Sequence, residues 1–161
     1  MQATQYYFRP CPSAHDMTSR ILVPYDGTSA ARSAAEYAWT HFTDAEIVLL
    51  FVMDPVVEHA RIRSYPGYTG EDEFANEHEK GTQLLETVQE SSPTDVTVTT
   101  DITAGRPSQT IIEYIDEEDF DQIVIGSHSR DGLARFLLGS TAETVLRRSP
   151  IPVTVVRPPR D

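Results

Sequence analysis

Gly126 and the triplet Gly139-Ser140-Thr141 are the residue types a chain uses to hold an anion, and they bracket one polar loop in the segment DQIVIGSHSRDGLARFLLGST, residues 121–141. The apolar run Gln122–Ile125 reads as a buried parallel strand, and it stops at Gly126. Ser127-His128-Ser129-Arg130-Asp131-Gly132 follows as a polar loop, and a helical pattern begins at Ser140. Unpaired N–H groups at a helix N-terminus carry partial positive charge, and a glycine lets a phosphate come close to the backbone. This arrangement predicts a phosphate cradle. His128 is the one histidine within it, either a phosphate contact or a solvent-facing loop residue; Gly139-Ser140 taken alone reads equally as a plain helix cap.

Other chemistry is excluded by what is missing. The chain has no G-x-x-x-x-G-K-[ST] phosphate loop, no G-x-G-x-x-G after a strand and no G-x-S-x-G elbow. His15, His41, His59, His78 and His128 are scattered without metal-ligand spacing. Cys11 stands alone, which excludes an internal disulfide and fits a reducing compartment.

The elements that must position the cradle follow from periodicity. Residues 1–18 show no period and are expected to be a flexible tail before a domain at 19–158. Ile21-Leu22-Val23-Pro24-Tyr25-Asp26-Gly27 is a short strand entering a turn, with Thr28 or Ser29 capping a helix whose inner face is Ala31, Ala34, Ala35, Ala38 and Trp39. Glu46–Met53 is a second apolar strand. The stretch 55–70, with Tyr65, Pro66, Gly67, Tyr68 and Gly70, is long for a connection and reads as a lid or a variable insertion. Glu71–Glu90 is an acidic amphipathic helix with Phe74, Leu84, Leu85 and Val88 turned inward and Gly81 weakening its middle. Val96–Ile102 alternates as a less buried strand. Pro107 opens a helix lined by Ile111, Ile112 and Ile115, ending in the solvated acidic run Asp116–Asp119. A helix over Ser140–Arg148 and a last strand within Pro150–Val156 complete the chain.

Strands alternating with helices must run parallel, so the expected fold class is α/β, a doubly wound five-stranded parallel sheet. Ligands bind such sheets outside the carboxyl ends of the strands, where the strand order reverses. With the first and fourth strands adjacent there, Asp26 would face Gly126 across one crevice and could accept hydrogen bonds from a ribose or base. The competing reading makes Asp26 a turn residue beside Gly27.

The 161 residues suit one domain, and the formal charge is −12, with 25 acidic residues against 13 basic ones. Lys80 is the only lysine. Such a surface repels nucleic acid and anionic lipid, and the scarcity of lysine points to a salt-loving source in which screening tolerates the charge. No run reaches membrane-spanning length, and residues 1–16 lack an apolar core, so neither a membrane anchor nor a signal peptide is expected.

From about Arg20 to Arg157 the chain resembles the universal stress protein family. ILVPYDGTSAARSAAEYA is similar to that family's first strand and helix, LLFVMDP to its second strand, GRPSQTI to its G-x-P turn and IPVTVV to its final strand. Gly126, Gly139 and Ser140 fit its nucleotide signature G-x2-G-x9-G-[ST], with Ser129 standing where the signature has its middle glycine. The resemblance implies a Rossmann-like, adenine-nucleotide-binding sheet of order 3-2-1-4-5, a cytoplasmic homodimer paired through Val153–Val156, and ATP with or without Mg²⁺ in the crevice. It implies that Asp26 contacts ribose or adenine beside Pro24 and Tyr25, and that Val52 flanks the base. Gly126, Ser127, His128 and Ser129 would lie along the phosphates, held by Gly139, Ser140 and Thr141. A serine costs about 1 kcal/mol or more where a positive φ is required, yet its hydroxyl can donate to phosphate, so weakened but retained binding is expected.

The resulting expectation is a nucleotide-binding regulatory module of stress response without a dedicated catalytic apparatus; slow ATP hydrolysis carries little weight. A dimeric interaction protein with an empty crevice, on account of Ser129, is the alternative. A phospho-accepting receiver would need an acidic cluster and a lysine at the strand ends, and only Asp26 is present.

Overall fold

A computed structural model describes residues 18–54, 70–127 and 138–158, with the backbone alone over 70–73. The stretch 55–69, the loop residues 128–137 and the tail up to residue 17 lie outside the described residues. In chain order the elements are β1 (Arg20–Pro24), α1 (Ser29–His41), β2 (Glu46–Met53), α2 (Gly70–Glu90), β3 (Thr97–Ala104), α3 (Pro107–Glu117), β4 (Gln122–Gly126), α4 (Ser140–Arg148) and β5 (Val153–Val156). All strand pairs are parallel and the order is β3-β2-β1-β4-β5, as expected.

Strand position follows apolar content. β1 and β4 are central, and their Leu22, Val23, Ile123 and Val124 are fully buried. Their side chains alternate between two cores, because successive residues of a strand point to opposite faces. Ile21, Val23, Ile47, Leu49, Phe51 and Val124 pack beneath α1 and α2. Leu22, Val48, Leu50, Ile123 and Ile125 pack beneath α3 and α4. β3, rich in threonine, lies at one edge and is the more exposed strand the alternation predicts.

The helix ends obey local rules. Thr28, not Ser29, caps α1: its Oγ1 accepts from the Ala31 N–H at 3.2 Å. Pro107 opens α3, where a missing N–H costs nothing. Arg147 and Arg148 sit in the last turn of α4, opposite its negative dipole end.

One inward residue is corrected. Phe74 of α2 is exposed, at 56%. It lies on the same stripe as Gly81, Leu85 and Val88, but residues 74–80 are exposed or half-buried, and among the described side chains burial begins at Gly81. Helical periodicity tells which face turns inward, not how far along the helix there is something to meet.

At the amino ends of the strands Arg20 ties three segments together. Its Nε donates to Glu46 at 2.9 Å and its Nη1 to Glu118 at 3.1 Å, and the guanidinium lies 4.6 Å from the centre of the Phe120 ring. One member of the acidic run Asp116–Asp119 is thus an ion-pair partner as well as a solvated charge.

Candidate functional site

The chain builds outward from β1 through β2 to β3, then returns to place β4 and β5 on the other side, so the strand order reverses between β1 and β4. A crevice of about 140 Å³ lies at the carboxyl ends of the strands at this reversal. The end of β1 contributes Pro24, Tyr25 and Asp26, and β4 contributes Ile125 and Gly126. Leu50 and Val52 of β2 line it as well, as do Pro107 and Ile111 of α3. The rim is formed by Thr28 and Ala31 of the first α1 turn and Thr141 of α4. The crevice is thus apolar toward β2 and α3, with polar groups along the rim.

Asp26 is a turn residue and also lines the crevice. Its Oδ1 accepts from the Thr28 N–H at 3.0 Å and from the Thr28 hydroxyl at 2.6 Å, an Asx turn that orients the cap of α1. Oδ2 has no hydrogen-bond partner among the described residues.

Gly126 is a glycine for a reason the segment itself does not contain. A Cβ there would run into the carbonyl of Ala30 and stand 2.6 Å from the Ala31 nitrogen. The alanine-rich first turn of α1 packs directly on the end of β4, and only a residue without a side chain admits it.

Ser127 and Gly139 close the base of the loop. Ser127 is buried, its N–H donates to Val156 O at 2.8 Å, and its Oγ accepts from the Gly139 N–H at 3.0 Å. These bonds hold the start of α4 against the end of β4. No side chain caps α4 at Gly139, so among the described residues the N–H groups of its first turn have no side-chain cap. Such groups at a helix start attract anions.

Of the residues expected at the site, Pro24, Tyr25, Asp26, Val52, Gly126 and Thr141 line the crevice. Ser127, Gly139 and Ser140 lie beside it without lining it, and His128 and Ser129 fall outside the described residues. Missed were Thr28, Ala31, Leu50, Pro107, Ile111 and Ile125. The signal for Pro107 was available, because a helix that starts after a G-R-P turn must begin at the carboxyl edge of the sheet. Among the described residues no three His, Cys, Asp or Glu side chains could hold a metal ion, and no helix is long and apolar enough to cross a membrane.

With that geometry in hand, comparison with known proteins is informative. The family described as "Universal stress protein family" matches residues 17–157. Universal stress protein MJ0531 of Methanocaldococcus jannaschii is 29% identical over 155 residues, spanning 92% of this chain and 87% of that protein. The solved structure of MJ0577, from the same organism, superposes with a TM-score of 0.73 at 24% identity, covering 91% of this chain and all of the other. A universal stress protein family protein of Arabidopsis thaliana, solved with AMP bound, has a TM-score of 0.62 at 18% identity, covering 89% of this chain and 94% of its own. At these identities both structures speak to the fold alone.

Proposed function

The chain belongs to the universal stress protein family, and from that premise we propose that it is an adenine-nucleotide-binding regulatory module of stress response, acting as a cytoplasmic homodimer and not as a dedicated enzyme. One observation carries this reading: the crevice has an apolar side fit for a base, an Asp26 oxygen without a partner among the described residues, and an uncapped helix start on its rim. The AMP-bound protein of the same fold supports an adenine nucleotide as the ligand.

In this reading Val52 and Ile111 flank the base and Asp26 Oδ2 accepts from a ribose hydroxyl. The phosphates run past Gly126, Ser127, His128 and Ser129 toward Gly139, Ser140 and Thr141. The donor set is made of backbone N–H groups and hydroxyls, so Mg²⁺ would accompany ATP as its counterion instead of being held by a protein cage. A charge of −12 repels a polyanion, and screening by salt should strengthen binding.

Calorimetric titration of ATP with Mg²⁺ in molar KCl tests the proposal. Saturable heat is expected at sub-millimolar nucleotide. Asp26→Asn keeps an acceptor for the turn but loses the carboxylate, so affinity should fall at least about tenfold, in line with the roughly 1.5–3 kcal/mol of a charged hydrogen bond. No heat at millimolar ATP would sink the idea.

A second reading, a dimeric interaction module with an empty crevice, draws on two facts. Ser129 departs from the signature, and about 140 Å³ is well below the roughly 300–1,000 Å³ usual for ligand pockets. The volume accommodates a base more readily than a whole nucleotide, whose phosphates would extend over the rim. Thermal unfolding separates the readings, because a ligand at 100 times its Kd stabilises by about 2.7 kcal/mol.

A further inference from the structure

A second cavity, about 230 Å³, lies between α1 and α2, bordered by Tyr25, Arg32, Glu36, Trp39, Thr87 and Ser91. Its charged groups are not paired with each other. Arg32 and Glu36, one helical turn apart on α1 and both exposed, form no ion pair, and neither meets another charged partner among the described residues.

The hydrogen-bonding capacity around the cavity divides into donors and acceptors. Arg32 and the Tyr25 phenol both border the cavity, near enough for the guanidinium charge to act on the phenol. Burial raises that phenol above its ordinary value, with the Arg32 charge pulling the other way, so at neutral pH it keeps its proton. The phenol O–H and the guanidinium N–H groups are the donors. Glu36 supplies a carboxylate. The hydroxyls of Thr87 and Ser91 already donate to the carbonyls of Gln83 and Thr87, at 2.8 and 3.0 Å, so toward the cavity their oxygens can only accept.

We propose that this cavity binds a small zwitterion, a free α-amino acid, with its carboxylate on Arg32 and Tyr25 and its ammonium on Glu36 and the Thr87 and Ser91 oxygens. A plain anion there would face Glu36 and a plain cation would face Arg32. A molecule carrying both charges one carbon apart meets each with its opposite, and the volume exceeds that of a small amino acid. Tyr25 borders this cavity as well as the nucleotide crevice, but the proposal does not depend on nucleotide binding.

Trp39 is the only tryptophan of the chain and borders this cavity, so its fluorescence is a probe of it. The experiment titrates the full chain with L-alanine at constant ionic strength, beside acetate and methylammonium as the two half-molecules, with calorimetry on the same mixtures as a readout independent of the fluorophore. Saturable binding of alanine is expected, at least tenfold tighter than either half-molecule. Arg32→Gln and Glu36→Gln, exposed positions whose loss leaves the core intact, should each weaken it at least tenfold. The proposal is overturned if alanine shows no saturation by either readout, if acetate or methylammonium binds as well as alanine, or if both variants titrate like the parent. Failure here leaves the ATP titration untouched, and failure of that titration leaves this one untouched.

Discussion

Asp26 and Gly126 each serve the fold and the crevice at once, and the two roles have different physical origins. Asp26 spends one oxygen on Thr28 and keeps the other. Gly126 makes room for the Ala30 carbonyl, whatever passes over it. Gly126→Ala should therefore destabilise the protein with no ligand present, by about 1–3 kcal/mol as forced overpacking does. Urea unfolding in nucleotide-free buffer reads this directly; an unchanged midpoint would show that the glycine is there for the ligand and not for α1. The location of both residues was readable from strand ends and turn chemistry. The reason for the glycine was not, because its neighbour Ala30 is remote in sequence.

Among the elements, α2 shows how a local rule can be reversed by what the helix packs on. Gly81 reads as a weak point, since glycine costs about 1 kcal/mol relative to alanine inside a helix. In the structure a Cβ at Gly81 would stand 2.5 Å from Phe51 Cδ1, so the glycine is what allows α2 to approach β2. Gly81→Ala should lower stability by about 1–3 kcal/mol despite the better propensity. A stabilised variant in denaturant unfolding would mean that the Phe51 ring yields and that propensity decides. The same helix misled at Phe74, where amphipathic spacing continued past the region that meets the core. Cap choice was ambiguous for a related reason: Thr28 and Ser29 offer the same hydroxyl, and the Asp26 turn selects Thr28.

On the scale of the whole molecule the two edges of the sheet differ. β3 is rich in threonine and carries the charged Asp101, whose Oδ2 accepts from the Tyr114 hydroxyl, and a polar edge strand of this kind discourages pairing with another chain. β5 is short and half-buried throughout, three of its four residues are valine, and Leu146 of the preceding α4 is 45% exposed. An apolar edge of this kind needs a cover, and the proposed homodimer supplies one through Val153–Val156. Val155→Lys should shift the protein toward monomer in light scattering; an unchanged mass would place the dimer contact elsewhere, and a monomeric parent would remove it.

By itself the sequence determined the family, the alternation of strands and helices, the parallel sheet and its order, and the end of the sheet at which Asp26, Gly126 and Thr141 meet. The family and the strand order follow from the resemblance of its motifs; the rest follows from short-range periodicity, turn residues and the connection rules of parallel strands. The tertiary structure alone decided which atoms those residues have to spare. It set Ser127 as the bracket of α4, Gly126 and Gly81 as points of close approach, and Arg32 beside Glu36 as an unpaired couple over a second cavity. Such facts depend on distances between segments far apart in the chain, and no local pattern of residues encodes them.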